Sequence, residues 1–307
     1  MNDVFRRRPS WPTGRQVART SLLTLPLVLA ACHPAVLSPR GPVADAERTL
    51  LFDSVAIMLA IIVPTIIAVL AFAWWFRASN TRAKYLPDWA FSGRIELVVW
   101  GVPTLTIMLL GGVTWVASHD LDPAKPIASK TPALEVQVVS LDWKWLFIYP
   151  DQHVASVNYS VIPAGVPVHF TLTSASVMNS FFVPQLGSMI YTMNHMANEL
   201  YLQADKPGLF YGLATHFSGD GFSDMNFKMR AVPQDQFAAW VNTTRQAGDT
   251  LDDPAYQALS KQSVEPKPFT YRDVSPGLFA RVVDQTLPPG PGPAPEPILK
   301  TNQVTEK

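Results

Sequence analysis

The chain reads as an α+β membrane protein: a two-helix transmembrane hairpin, then an exported β-sandwich followed by C-terminal helices. Three observations lead there. Two apolar runs lie within positions 50–118. Short Val-, Tyr-, Phe- and Thr-rich segments broken by Pro and Gly fill positions 133–233, and a polar stretch with helical spacing follows. The expected organisation is a leader over 1–31, an exported N-terminal segment over 32–49, the hairpin over 50–118, the β-domain over 119–233, a helical region over 234–286 and a Pro-rich disordered tail over 287–307. At 307 residues there is room for more than one unit. The 24 basic residues balance 24 acidic ones, which argues against nucleic acid as a partner.

The first element is basic, with Arg6, Arg7, Arg8, Arg15 and Arg19, and is followed by an apolar run from Leu22 to Ala31. That run is too short to span a bilayer and suits the core of a signal peptide. Leu29-Ala30-Ala31-Cys32 resembles a bacterial lipobox, in which the cysteine is lipidated and becomes the new N-terminus. An ordinary signal peptide or uncleaved anchor with an incidental cysteine is the alternative. Arg6-Arg7 hints at twin-arginine export, but the residues that should follow are missing.

Two membrane helices come next, over about Leu51 to Phe76 and Ile95 to Val116, each meeting the roughly 20 residues needed to cross the hydrocarbon core. Pro64 and Pro103 are tolerable because neighbouring helices can satisfy the freed carbonyls. Trp74, Trp75, Trp100 and Trp115 stand towards the ends, as interfacial aromatics do. The loop between them carries Arg77, Arg82, Lys84 and Arg94 against Asp88, whereas Arg40 and Arg48 are balanced by Asp45 and Glu47. The excess of positive charge puts the short loop in the cytoplasm, so everything after Ser118 faces outward. Glu96 stands at the cytoplasmic start of the second helix. Charge at that depth is costly unless it faces protein or water, which marks a functional candidate. Stabilisation by the helix dipole, or pairing with Arg94, is the structural alternative.

In the β-domain, Val136-Gln137-Val138, Phe170-Thr171-Leu172 and Phe227-Lys228-Met229-Arg230-Ala231 show the period-2 pattern of half-buried strands. Asp142 to Pro150 reads as one aromatic strand, with Trp143 and Trp145 as packing residues. Beyond Pro233, Phe237, Trp240 and Val241 share a helix face, and short helices are expected over 254–261 and 276–285. From Leu287 to Pro297 the chain is mostly Pro and Gly and should be extended or disordered. No internal repeat, phosphate-binding glycine loop, catalytic triad or paired-carboxylate motif is legible.

Metal chemistry is bounded by the cysteine count. Cys32 is the only cysteine, so the β-domain can hold neither a thiolate metal site nor a disulfide. The six histidines, His33, His119, His153, His169, His195 and His216, lack paired ligand spacing. Structural roles suit them best; a mononuclear site from His216, His195 and a methionine is the alternative. His169, on the polar side of an alternating segment, suits solvent or a hydrogen bond.

Ala214 to Met225 nonetheless has the form of a metal-binding loop. It resembles the loop of subunit II of the haem–copper respiratory oxidases, which reads Cys-x-x-x-Cys-x-x-x-His-x-x-Met and holds two coppers. Here Ala214 and Ser218 stand at the cysteine positions, Phe222 at the histidine, and Met225 alone remains. The family's further histidine, in H-S-x-x-x-P-x-L-G, is replaced by Asn179 in Asn179-Ser180-Phe181-Phe182-Val183-Pro184-Gln185-Leu186-Gly187. Dinuclear copper needs bridging thiolates, and a methyl and a hydroxyl cannot replace them. Arg77-Ala78-Ser79-Asn80, Ala83-Lys84-Tyr85, Asp142-Trp143-Lys144-Trp145 and Ser176 to Phe182 are similar to the ubiquinol oxidase branch of the cytochrome bo type.

The resemblance covers nearly the whole chain. It implies a cupredoxin-like β-domain and a subunit, not catalytic by itself, of a proton-pumping complex that oxidises ubiquinol and reduces oxygen to water. It implies that this chain binds no cofactor, and that the haems, the oxygen-site copper and the quinol site belong to subunit I. The implied partners are that haem-bearing subunit, small membrane subunits and membrane lipid, with no cytochrome c. The implied setting is a bacterial inner membrane, with a lipid-anchored N-terminus and a periplasmic C-terminal domain. Glu96 matches the glutamate at the mouth of a proton path into subunit I. The alternative function is a lipidated membrane protein whose β-domain is a non-enzymatic binding module.

Overall fold

The computed structural model describes residues 35–84, 86–264 and 267–292. Cys32 and the leader before it lie outside the described residues, as does the tail from 293. Helix α1 (Pro42–Trp75) and helix α2 (Gly93–Asp120) are both long and apolar enough to cross a membrane. At 1.5 Å per residue, α1 is about 50 Å long against a hydrocarbon core of about 30 Å. The excess lies at its start, ahead of the apolar run, where Pro42 takes the first helical position that proline favours. These opening turns pack against the β-domain. The Arg40 N–H donates to the Gln185 carbonyl (2.8 Å), Ala44 N–H to Leu186 O (3.3 Å), and Asp205 N–H to Arg40 O (2.9 Å). Ser188 donates to Glu47. Gly41 permits the approach, since a Cβ there would lie 2.0 Å from Gln203 O.

After α2 the chain forms β1 (Leu134–Leu141), β2 (Lys144–Tyr149), β3 (Val154–Val157), β4 (Tyr159–Pro163), β5 (Val168–Ser174), β6 (Asn179–Phe181), β7 (Ile190–Thr192), β8 (Asn198–Leu202), β9 (Gly208–Leu213) and β10 (Asn226–Val232). It continues through helix α3 (Gln234–Gln246), β11 (Thr250–Leu251), α4 (Asp253–Leu259), β12 (Phe269–Tyr271), β13 (Asp273–Val274) and α5 (Leu278–Val283). A six-stranded sheet, ordered β12-β3-β2-β1-β5-β8, faces a three-stranded sheet ordered β4-β10-β9. Trp145, Phe147 and Tyr149 of β2 meet Val161, Phe210, Phe227 and Met229 in the core between them. Phe227 lies 5.0 Å from Phe181, 5.1 Å from Phe147 and 5.6 Å from Trp145, within the range of favourable ring pairs.

The other face of the large sheet is covered too. Alternate residues of the same strands, Val139 and Leu141 of β1 and Leu146 and Ile148 of β2, pack under Tyr256 and Leu259 of α4 and Leu278, Phe279 and Val282 of α5. This explains why β2 is buried at every position instead of every second one. It also changes the expected organisation. Residues 234–286 are not helices alone, because β11 and β13 pair there and β12 joins β3 at the sheet edge. Nor is the tail free from 287: Leu287 is buried in this outer core, and the Gly290 N–H donates to Ala175 O (2.9 Å). Finally, the aromatic strand does not begin at Asp142. Leu141 pairs with Lys144, so Asp142 and Trp143 form a two-residue turn, with Trp143 at φ 63°.

Candidate functional site

The loop after β9 is held at both ends. Its base closes where the Ala214 N–H donates to Met225 O (3.0 Å), and a 3₁₀ turn over Phe222–Asp224 leads into β10. Beside it runs β6. Phe182 and Leu213 exchange backbone hydrogen bonds of 3.2 and 3.0 Å, and the Thr215 N–H donates to Ser180 Oγ (2.6 Å). Asn179 is therefore carried to the flank of the loop that holds Ala214, Ser218, Phe222 and Met225.

These five positions join the end of the inner core. Asn179 and Met225 are each 1% exposed, and Ala214 and Ser218 are nearly as buried. Half-buried Phe222 packs against the same core and lies edge-on to Phe217, ring centres 5.6 Å apart. Ser218 Oγ points to Met225 Sδ at 4.0 Å, and Asn179 Nδ2 donates to Val177 O at 3.3 Å. The donor set is one thioether, one hydroxyl and one amide, with a methyl and a phenyl ring in the other places. It does not fit a dinuclear copper centre, which requires two thiolates to bridge the metals.

Three of the histidines are engaged with other groups. His195 Nδ1 meets the Val283 carbonyl at 3.0 Å, while His216 packs edge-on to Tyr191. His169 stacks on Tyr201 with ring centres 4.4 Å apart, and its Nδ1 lies 2.7 Å from Glu135. Among the described residues, no group of three or more His, Cys, Asp or Glu side chains could hold a metal ion.

Sequence reading missed the residue that organises the loop. Trp143 stands over it from the β1–β2 turn, its indole N–H donating to Ser218 O at 3.0 Å. Gly221 lies against the ring face, where a Cβ would come within 2.4 Å of Cδ2. Either side of Trp143, both side chains are buried and engaged. Asp142 accepts from Ser176 Oγ (2.5 Å) and from the Gly292 N–H (2.9 Å). Lys144 donates to Lys261 O (2.5 Å) and Ser263 Oγ (2.6 Å). Burial lowers the Lys144 ammonium to about 8 despite the opposing pull of Asp142. A tryptophan at positive φ has no local sequence signal, because that conformation is imposed by the residues packed around it.

Glu96 lies apart from this constellation, in the first turn of α2. Trp100, one turn on, donates its indole N–H to Glu96 Oε2 at 3.0 Å. Among the described residues no ion pair joins Glu96 to Arg94.

Comparison with known proteins matches residues 151–232 to the family described as cytochrome c oxidase subunit II, periplasmic domain, and residues 245–290 to the cytochrome oxidase aromatic rich motif. The chain is 46% identical over 270 residues to ubiquinol oxidase subunit 2 of Acetobacter aceti, covering 87% of this chain and 88% of the relative. It is 46% identical over 257 residues to the cytochrome bo(3) ubiquinol oxidase subunit 2 of Pseudomonas aeruginosa, covering 84% and 78%. Among solved structures, the periplasmic domain of subunit II of cytochrome oxidase from Bradyrhizobium japonicum is 27% identical, with a TM-score of 0.36 over 38% of this chain and 98% of that one.

Proposed function

The chain belongs to the subunit 2 family of the ubiquinol oxidases, within the haem–copper oxidases, and from that premise we propose that it serves its enzyme without relaying electrons through a copper of its own. As such a subunit it is part of an oxidoreductase complex. The observation that carries the proposal is the filling of the loop: Ala214, Ser218 and Met225 are buried in the core, with Asn179 beside them and Phe222 packed on top. Ubiquinol delivers electrons from within the membrane, so a relay on the exported side has nothing to carry. The chain's tasks are then mechanical and protonic. Helices α1 and α2 hold it against a haem-bearing subunit, and the stitched start of α1 mounts the β-domain firmly on the exported face. The small membrane subunits and surrounding lipid complete its contacts.

Copper titration of the purified complex tests this. The exported domain should give no thiolate-to-copper absorption and no mixed-valence resonance. Replacing Ala214 and Ser218 by Cys, and Phe222 and Asn179 by His, should create both signals. A purple or blue centre in the unaltered chain would overturn the reading.

Glu96 is proposed to collect protons from the cytoplasm for the haem-bearing subunit. Its place at the start of α2 supports this, as does the Trp100 bond, which orients the carboxylate while leaving its other oxygen free to exchange protons with water. Export of the β-domain follows from the charge of the α1–α2 loop, and lipidation of Cys32 from the lipobox. Both support a bacterial inner membrane as its setting, with the C-terminal domain periplasmic.

A further inference from the structure

The C-terminal segment makes contacts that packing alone does not require. Gly290 and Gly292 are joined through their backbone N–H groups to Ala175 O and Asp142 Oδ2, both at 2.9 Å. The Gln262 side-chain amide donates to the Gly292 carbonyl, and Lys144 reaches across to Lys261 O and Ser263 Oγ. Gly292 sits at φ 69°, where a side chain is disfavoured. Residues 261–263 and the strap 287–292 thus converge on the turn residues either side of Trp143.

Trp143 is the pivot. Its backbone is held at φ 63° between two buried, hydrogen-bonded neighbours, and its indole supports the loop at Ser218 and Gly221. Strap and loop have no hydrogen bond to each other among the described residues; two bridges join them, the turn through Asp142 and Trp143, and the segment 175–180 through Ala175 O and Ser180 Oγ. At the crest of that loop Phe217 is 71% exposed, so its placement depends on the same support.

We infer that the strap 287–292 is a clasp that fixes the conformation of the loop 214–225 by holding Asp142, and through it the indole of Trp143, while residues 261–263, tied to the strap by Gln262, hold Lys144. The inference does not depend on the absence of copper or on the proton role of Glu96. Removing the clasp should let the turn relax from positive φ and free the loop, while the sandwich persists on its inner core. Local opening of this kind is read by hydrogen exchange, which reports the stability of each segment separately.

The test is hydrogen exchange with mass spectrometry on the assembled, detergent-solubilised complex. A chain ending at Thr286 and an Asp142→Ala variant should both lose protection over 214–225 while β2 and β10 keep theirs. Asp142→Asn should retain most of the protection, because the amide oxygen still accepts from the Gly292 N–H and its NH₂ can donate to Ser176 Oγ. Gly292→Pro serves if the larger changes prevent assembly, since proline has no N–H and cannot adopt φ 69°. It should release the loop in the same way. Unchanged exchange over 214–225 in any assembled variant that frees the strap would overturn the inference. So would loss of protection spread evenly over the sandwich, which would make the strap a general stabiliser instead of a clasp.

Discussion

Replacing Gly221 by alanine puts a methyl group where the Trp143 indole already lies. The new Cβ would be 2.4 Å from Cδ2 and 2.6 Å from Cγ and Cε3. Carbon atoms pack best at about 3.5–4.0 Å, so ring and loop must separate by roughly 1 Å. Neither is free to do so. The indole N–H is bonded to Ser218 O on the same loop, and the backbone beneath it is pinned through Asp142 and Lys144. Overpacking of a fixed site costs about 1–3 kcal/mol, and loss of the indole hydrogen bond adds about 1 kcal/mol. The expected destabilisation is about 2–4 kcal/mol. Urea unfolding of the solubilised chain, followed by tryptophan fluorescence, measures it. Gly165→Ala is the control: Gly165 has φ 75° but nothing within 4 Å of a new Cβ, so it carries backbone strain alone, about 1–2 kcal/mol. If Gly221→Ala costs no more than Gly165→Ala, the tight seat of Trp143 on the loop is refuted.

Lys144 should give the fold a dependence on alkaline pH. Its folded value is lowered to about 8 from an ordinary 10.5, so between those values the unfolded chain binds a proton that the folded chain has lost. Stability from this group therefore rises with pH across that window. Wild type minus Lys144→Met, measured by urea unfolding from pH 7.5 to 10.5, should increase; a flat or falling difference would show that Lys144 is not held in a desolvated site. Glu96→Ala, in an assembled and haem-loaded complex, should slow the proton-coupled reduction of the oxygen site by about tenfold. That is less than the roughly 10²–10⁴-fold of a group at the reacting centre, because water at the mouth substitutes in part. Glu96→Asp should retain most of the rate, and full turnover of Glu96→Ala at every pH would leave only a helix-dipole role. Mass spectrometry of the mature chain should find a lipid-modified Cys32 at its N-terminus, and any other terminus would discard lipidation.

What could be read in the sequence was set by how local each signal is. The membrane helices announce themselves through runs of consecutive apolar residues, and β10 and the first half of β5 through alternation, because there one face lies in the inner core and the other is less buried. β2 defeats that rule: with α4 and α5 on its second face, Leu146 and Ile148 are as buried as Trp145 and Phe147. The strands β11, β12 and β13 are two or three residues long and exist only through their partners. A Pro- and Gly-rich tail reads as disorder, yet Gly290 and Gly292 find acceptors supplied by residues more than a hundred positions earlier. At the candidate site the replaced positions were legible one by one, since ligand chemistry belongs to residue type. The seat of Trp143 over the loop was not, since it comes from tertiary contact.

The central claim, that this chain serves an oxidase fed by ubiquinol and not by an external electron carrier through copper, can be measured on the complex purified by a tag on this chain. Haem should co-purify in a multi-helix partner, and oxygen uptake should be sustained by ubiquinol. Reduced cytochrome c should sustain none, because Ala214, Ser218, Phe222 and Asn179 leave its electrons no copper to enter. Oxygen uptake driven by reduced cytochrome c, or a chain that purifies free of any haem-bearing partner, would contradict the account.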